Sequence, residues 1–533
     1  MKGKTKIWLI SIFIIVVALR LIIAFQTKGL DYEAYSVVRQ VESIHDTGFP
    51  IFKDDLSYSG RIHIFSPIYH YFLASFTFFL PVDIVVKILP NILATLTIIV
   101  VFFFALYFTK DENISLVVAA LSGVIPVFFD STINNASIYT AVIPLFFLTA
   151  YYFVLTHKDT KHIWKLIFSM ILLTFLHPSS LILMFCFLIY ILLINIENFR
   201  KSYREAELVL FFLFFVFWAN MTIYKRALLA HGDLVLFQNI PVEIISNSFK
   251  NITFLESIYA IGVIPLIFGL IAIYAALFVS NSKSLMLVTS IALGIFILLW
   301  FKLISLIPGL AFLSVALIIL SSYSIGRSYE RMKMIKLKHT PFYFVMALLV
   351  ICIAMLIPML VYSKHNVVSE KDFSALEWIK NNTQNSSVVL ALPEEGSVMS
   401  YISERKNIMD DDYLMIKNVE MRYNDVELLY EDRFLTTALE RLNYYSVDYI
   451  FLSEYNQANH NISGLAFYDE SCLELVYPEN QVPANLQYSN FEIKSMIRAK
   501  ESLNQSEQKL NLTPQVYKVK CVLLLKSKGG ATR

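Results

Sequence analysis

The sequence predicts an α-helical polytopic membrane protein of about eleven transmembrane helices, carrying a C-terminal extracytoplasmic α/β domain. Three observations predict it. The 533 residues are 57% hydrophobic, 15% aromatic and only 16% charged, with a mean hydropathy of +0.60, too apolar for a water-soluble chain. Nearly all the long apolar runs lie before about residue 362, and the segment from His365 to Arg533 has the composition of a soluble domain. The basic residues of the first part fall in alternate connections, as in multi-pass membrane proteins.

A helix that crosses the roughly 30 Å hydrocarbon core needs about 20 mainly apolar residues. Stretches of that kind lie at 7–25, 84–108, 114–129, 138–156, 163–176, 178–195, 207–224, 257–279, 285–301, 303–322 and 341–361. The first follows Lys2, Lys4 and Lys6 in the manner of a signal peptide. No small-residue cleavage site precedes Gln26, so it reads as an anchor. With the N-terminus in the cytoplasm, Lys110, Lys158, Lys161, Lys165, Arg200, Lys201, Arg204, Lys283, Arg327, Arg331, Lys333, Lys336 and Lys338 share that side, the positive-inside pattern. The alternation requires that 66–81 not cross but lie along the outer surface as an amphipathic segment. A transmembrane domain over 1–362, with a first extracytoplasmic loop at about 26–83, and a soluble extracytoplasmic domain over 363–533 follow. The expected location is the cell membrane.

The tail carries glycosylation sequons at Asn381, Asn385, Asn461, Asn504 and Asn511, consistent with that orientation. Cys186 and Cys352 fall inside spans and read as small apolar residues. Cys472 and Cys521 fall in the tail, where an oxidising compartment would let them pair. Ser369-Glu370-Lys371-Asp372 resembles a capping box opening a helix through Leu376, Trp378 and Ile379. The runs 387–392, 447–452 and 516–525 read as strands, Val426 to Leu442 has helical spacing, and the polar stretch at about 499–513 reads as a loop.

A net charge of +2 and the lack of a basic stripe with interleaved aromatics exclude nucleic acid as a partner. Walker loops, dinucleotide fingerprints, zinc-spaced Cys/His sets and nucleophile elbows are missing from the sequence. Chemistry instead points to carboxylates at the outer span ends: Asp31 and Glu33 after the first span, Asp54 and Asp55 farther along the loop, Asp130 beyond the third span and Glu256 before the eighth. Each alone reads as a solvated helix-end charge; together they mark one face. Cleaving a sugar–phosphate bond at a bilayer surface requires a carboxylate to take the acceptor proton and a cation to hold the departing phosphate. Asp31 and Glu33 suit base and partner, or ligands of a hard cation such as Mg or Mn, with Asp130 a further acid for either task. The outer-face cations are Arg61, Lys225, Arg226 and Lys302, the last between two spans where snorkelling explains a lysine equally well. His177 stands at an outer turn, as a substrate contact or as a capping histidine.

These residues resemble a known family. Asp31-Tyr32-Glu33-Ala34-Tyr35 after an apolar span, Arg39, Gly48-Phe49-Pro50, Asp54-Asp55-Leu56-Ser57-Tyr58-Ser59-Gly60-Arg61 and Ser66-Pro67-Ile68-Tyr69-His70-Tyr71 look like the first outer loop of GT-C-type membrane glycosyltransferases. Enzymes of that family use polyprenyl- or dolichyl-phosphate-linked sugars, and their loop carries an early acid and ends in a surface helix. Asp130 stands where the family often places another acid, and Lys302 where many members have an arginine facing the active site. In the tail, 376–383 through Gly396, Arg405 and Asp410, then 445–450, resemble the start of the soluble domain of archaeal oligosaccharyltransferase catalytic subunits. Thr253 and Glu256 have the Thr-x-x-Glu spacing of their outer-loop glutamate motif. Where those enzymes read the acceptor sequon with Trp-Trp-Asp-Tyr-Gly, this chain has Leu392-Pro393-Glu394-Glu395-Gly396, and both tryptophans are missing.

The resemblance implies a GT-C-like transferase that moves a sugar from a polyprenyl-phosphate donor to a glycan, lipid or protein acceptor on the extracytoplasmic face. Asp31, Glu33 and Asp130 are the expected catalytic acids, with Asp31 and Asp130 as anchors if a divalent cation takes part. Arg61, Lys302, Glu256 and His177 are the expected substrate contacts. En bloc transfer of a glycan to asparagine is the alternative within the class; a transporter, a flippase or a non-catalytic membrane protein is the alternative outside it. Mid-span residues that are mainly Leu, Ile, Phe and Val argue against transport.

Overall fold

The computed structural model describes residues 3–197, 199, 203–334, 339–362, 367–478 and 512–522. The sequons at Asn504 and Asn511, most of the stretch at 499–513, and Arg200, Lys201, Lys336 and Lys338 lie outside the described residues. The chain divides into two compact units. Met1–Leu30, Val37–Pro50 and Ile64–Asn366 form the first; Asp31–Ser36, Ile51–His63 and Val367–Arg533 form the second.

The first unit is helical: α1 (Gly3–Ala24), α2 (Ala34–Thr47, its first turn grouped with the second unit), α3 (Ile68–Ala74), α4 (Val82–Thr109), α5 (Glu112–Ser122), α6 (Pro126–Asp130), α7 (Tyr139–Thr156), α8 (Ile163–Leu176), α9 (Ser179–Ile196), α10 (Tyr203–Ile223), α11 (Lys225–His231), α12 (Val242–Asn251), α13 (Phe254–Ile261), α14 (Val263–Phe278), α15 (Lys283–Trp300), α16 (Leu306–Lys333) and α17 (Thr340–Tyr362). Among the described residues seven helices are long and apolar enough to cross a membrane, or eight if α13 and α14 count as one bent span. The central one is α16: 83% of its apolar window is buried and it packs on α14, α15, α4 and α5, whereas α1 and α10 are only 28% buried and lie at the periphery. Small residues bring the helices together, as in membrane bundles. A Cβ on Gly269 of α14 would meet Leu317 Cδ2 of α16 at 2.8 Å, and one on Gly294 of α15 would meet Cys186 Sγ of α9 at 2.8 Å.

Seven of the eleven expected spans match the seven long apolar helices, 341–361 is α17, and the other three depart from a straight crossing helix. The stretch 114–129 breaks after Ser122, where Ile125 is extended and Pro126 opens α6. The stretch 163–176 is α8, whose 14 residues reach about 21 Å, less than the hydrocarbon core. The stretch 257–279 bends by 85° at Gly262, whose φ of +94° suits a residue without Cβ. Within 66–81 the helix is the seven-residue α3, too short to cross. Tyr69 ties α3 to the loop before α7, its hydroxyl 2.9 Å from Ala136 O, and Ser66 Oγ donates to Phe175 O at the end of α8.

The second unit contains a five-stranded mixed sheet and a small hairpin. The hairpin pairs β1 (Lys53–Asp54) with β2 (Arg61–Ile62) antiparallel. The sheet comprises β3 (Val388–Leu390), β4 (Lys406–Asn407), β5 (Tyr449–Leu452), β6 (Leu473–Tyr477) and β7 (Gln515–Val519) in the order β4-β3-β5-β7-β6. β3 is parallel to β4 and β5, and β7 is antiparallel to β5 and β6. Both faces of β3 are buried, as in a parallel sheet covered by helices. The helices of this unit are α18 (Glu370–Asn382), α19 (Gly396–Val398), α20 (Val419–Glu431), α21 (Leu435–Tyr444) and α22 (Glu454–His460). Ser369 caps α18, its hydroxyl accepting from Asp372 N. The helical spacing over 426–442 covers parts of two helices, because Asp432 breaks the run and accepts from Phe434 N and Arg441 Nη1. Sequence periodicity misses β4 and β6. The edge strand β4 does not end the hydrogen-bonding: Asn407 N donates to Leu56 O (2.9 Å), and Asn407 Oδ1 accepts from Tyr58 N (2.8 Å).

Cys472 and Cys521 form a disulfide beside the paired strands β6 and β7. The bridge closes a loop with a sequence separation of 49, so replacing both cysteines by serine should cost about 4 kcal/mol of unfolding free energy. A denaturant titration of the purified double variant measures this, and an unchanged midpoint would contradict it.

Candidate functional site

The site in the second unit begins with the turn that opens α2. Tyr32 and Tyr35 are buried, Asp31 is half-buried and Glu33 is exposed. Tyr32 packs against Tyr455 (ring centroids 5.0 Å apart) and its hydroxyl lies 3.4 Å from Asp372 Oδ2; Tyr35 packs against Tyr401 at 5.5 Å. These anchors fix the backbone from which the Asp31 and Glu33 side chains project. Asp31 also makes a bridge with Val367. Glu33 lies in the field of Asp411 and Glu394, where burial first and like charge second raise both pKa values.

Arg61 lies in a second cluster. Its side chain is 1% exposed and pairs with Asp410 (3.1 Å) and with Asp412. Burial opposes the guanidinium's charge, but Asp412 and Asp410 outweigh it and raise the pKa. Burial likewise opposes the ionisation of Asp412, yet Arg61 and His63 draw its pKa down to about 2. His63 lies between Asp412 (Nδ1 to Oδ2, 3.0 Å) and Asp54 (Nε2 to Oδ2, 3.4 Å); burial disfavours its charge, and the two carboxylates win and raise its pKa. Asp54 also accepts from Leu56 N (2.9 Å), closing an Asx turn. Arg61 is therefore committed to carboxylates of its own unit.

The segment 392–396 turns into the core. Leu392, Pro393, Glu395 and Gly396 are buried, leaving Glu394 half-buried. A side chain on Gly396 would collide with Met409 O and come within 2.7 Å of Asp410 Cβ, so the glycine permits this close approach. Glu395 bonds to the Ser453 hydroxyl and accepts from Leu392 N (3.1 Å), and burial raises its pKa to about 8. An unfolded glutamate titrates near 4.3, so the folded unit holds a proton that the unfolded chain releases as pH rises. Stability from this group is greatest below about pH 4.5 and is lost as pH rises to about 8. Glu395→Gln should raise the thermal midpoint of the purified protein at pH 8 and leave it nearly unchanged at pH 4.5. An equal shift at both pH values would contradict the assignment.

The remaining candidates lie in the first unit. Asp130 is the exposed last residue of α6. The His177 ring lies 5.1 Å from that of Tyr139, its Nδ1 accepts from Ser179 N (3.1 Å), and burial lowers its pKa to about 4, which keeps it neutral at physiological pH. Lys302 is exposed just past α15, in a left-handed conformation (φ 55°), with Nζ 5.5 Å from the Phe249 ring centroid. Glu256 completes a capping box on α13, accepting from Thr253 N (2.8 Å) while Thr253 Oγ1 accepts from Glu256 N (3.2 Å). The Thr-x-x-Glu spacing thus has a local helix-capping role.

Sequence reasoning missed Arg20, Asp411 and the His63–Asp412 pair. The run Asp410-Asp411-Asp412 carries no local signal of a partner; Asp410 and Asp412 pair across the unit with Arg61. Among the described residues no group of three or more His, Cys, Asp or Glu is arranged to hold a metal ion.

No protein-family model and no curated protein matches this sequence. Solved structures do. The Archaeoglobus fulgidus oligosaccharyltransferase tethered with an acceptor peptide containing the NVT sequon matches with a TM-score of 0.64 at 12% identity, over 96% of this chain and 88% of that one. The archaeal oligosaccharyltransferase AglB from Archaeoglobus fulgidus, in complex with an inhibitory peptide and a dolichol-phosphate, matches at 0.61 and 13% identity, over 84% and 70%. ArnT from Cupriavidus metallidurans in the apo state matches at 0.50 and 12% identity, over 78% and 90%. The likeness is one of fold.

Proposed function

We propose that the protein is an integral-membrane glycosyltransferase that moves a sugar from a polyprenyl-phosphate donor to an acceptor on the extracytoplasmic face. The observation that carries this reading is the fold likeness, over 96% of the chain, to an archaeal oligosaccharyltransferase, joined by the likeness to the archaeal oligosaccharyltransferase AglB in complex with a dolichol-phosphate. The disulfide of the second unit supports an oxidising, extracytoplasmic setting.

In this reading Asp31 accepts the proton of the acceptor as its oxygen or nitrogen attacks the anomeric carbon. The carbon–oxygen bond to the phosphate breaks, and polyprenyl phosphate leaves with the electron pair. Glu33 assists Asp31, and Asp130 is a further proposed acid of the first unit. Lys302, exposed and without a carboxylate partner among the described residues, meets the phosphate; His177, neutral, contributes a hydrogen bond. Glu256 contacts substrate while capping α13. Arg61 serves the site by holding the first loop in place.

The buried turn at 392–396, without tryptophans, favours an acceptor other than a sequon asparagine. En bloc transfer to asparagine is the second reading, favoured by the match to the peptide-tethered archaeal enzyme. Purified full-length protein given a labelled polyprenyl-phosphate monosaccharide, or a lipid-linked oligosaccharide with a sequon peptide, separates them. Product in the first reaction alone supports the proposal, product in the second alone replaces it, and none in either removes both.

A further inference from the structure

Arg20 lies inside the apolar α1, and its side chain is buried, with 2% of the residue exposed. Nε donates to Asn91 Oδ1 on α4 (3.0 Å), Nη2 donates to the Thr132 hydroxyl, and the guanidinium carbon lies 4.8 Å from the Phe129 ring centroid. None of these partners is a carboxylate. A guanidinium withdrawn from water without a counter-ion among the described residues is costly, and a leucine at this place would be cheaper. Stability does not account for the arginine.

Its contacts do. Phe129 and Thr132 bracket Asp130, and both engage Arg20. The helix that ends at Asp130 has five residues, too few to hold a fixed direction unaided. Each end of the tie is itself secured: Asn91 Nδ2 donates to Lys87 O (2.7 Å), and the Thr132 hydroxyl donates to Phe128 O. Phe129 and Ile133 pack with Ile23 and Ala24 of α1, which leaves Asp130 as the exposed residue of an otherwise clamped turn.

We infer that Arg20 is a positioning residue, fixing the turn 126–134 so that the Asp130 carboxylate is held in one direction; its part in turnover rests on the proposed role of Asp130. Hydrogen–deuterium exchange on full-length Arg20→Met and Thr132→Val proteins tests the clamp. Exchange in 126–134 should rise about tenfold while the rest of the first unit is unchanged and thermal unfolding is not lowered. No local change, or a rise spread over the whole bundle, would overturn the clamp. Turnover of a dolichyl-phosphate-linked labelled hexose tests its use: kcat of Arg20→Met should fall about 10²-fold with KM unchanged. Adding Arg20→Met to Asp130→Asn should cause no further loss, and independent multiplicative losses would mean a merely structural arginine. Asp130→Asn with full turnover would remove the role of Asp130 and the catalytic half of this inference, while the exchange result still decides the clamp.

Discussion

An Asp31→Asn protein is expected to transfer sugar from a polyprenyl-phosphate donor about 10²–10⁴-fold more slowly than the wild type, the range typical for loss of a general base. The substitution keeps side-chain shape and removes the proton acceptor. It should leave the fold intact, because the surrounding turn is held by Tyr32 against Tyr455 and by Tyr35 against Tyr401, and the bridge to Val367 is made by backbone. Equal thermal midpoints of the two proteins, with a large difference in labelled product, is the expected pair of results. Wild-type turnover in the variant would end the assignment of Asp31 as base. Glu33→Gln should have a smaller effect, since Glu33 sits in the field of Asp411 and Glu394 and acts in the proposal as a partner.

Arg61→Met is expected to lower stability by about 3–5 kcal/mol, the usual cost of removing one member of a buried ion pair. Methionine fills much of the volume but leaves Asp410, which is buried, and Asp412 without their cation. The sign of the pH dependence follows from Asp412. Its folded pKa of about 2 lies below that of an unfolded aspartate, so its stabilisation is present above about pH 4 and is lost as pH falls through about 2. The deficit of the variant should therefore be largest near neutrality and shrink in acid. Thermal unfolding of both proteins at pH 7 and pH 3 measures this, and a deficit that grows in acid would contradict it.

The helical bundle was legible because apolar runs are a property of composition, and composition needs no knowledge of contacts. The strands β3 and β5 were legible because each contains a short apolar run; β7 overlaps the expected strand only over 516–519, and residues 520–522 are not strand. The two-residue β4 carries no period that could announce it. The commitment of Arg61 was not legible either, because its acids lie 349 and 351 residues later. Local spacing can also mean two things at once: Thr253-x-x-Glu256 reads as a family motif, and the same four residues satisfy the N-terminus of α13. Likewise Gly396 has a packing reason of its own beside Asp410.

The cover that residues 56–59 give to the edge strand β4 has a consequence for biogenesis. The loop leaves the ribosome early, and Asn407, which receives it, is made about 350 residues later. At about 5–20 residues per second, Leu56 and Tyr58 wait roughly 20–70 s for their partner. During that interval Arg61 has neither Asp410 nor Asp412. A nascent chain arrested before residue 406 should therefore expose the segment 51–63 to protease, and one released after residue 412 should protect it.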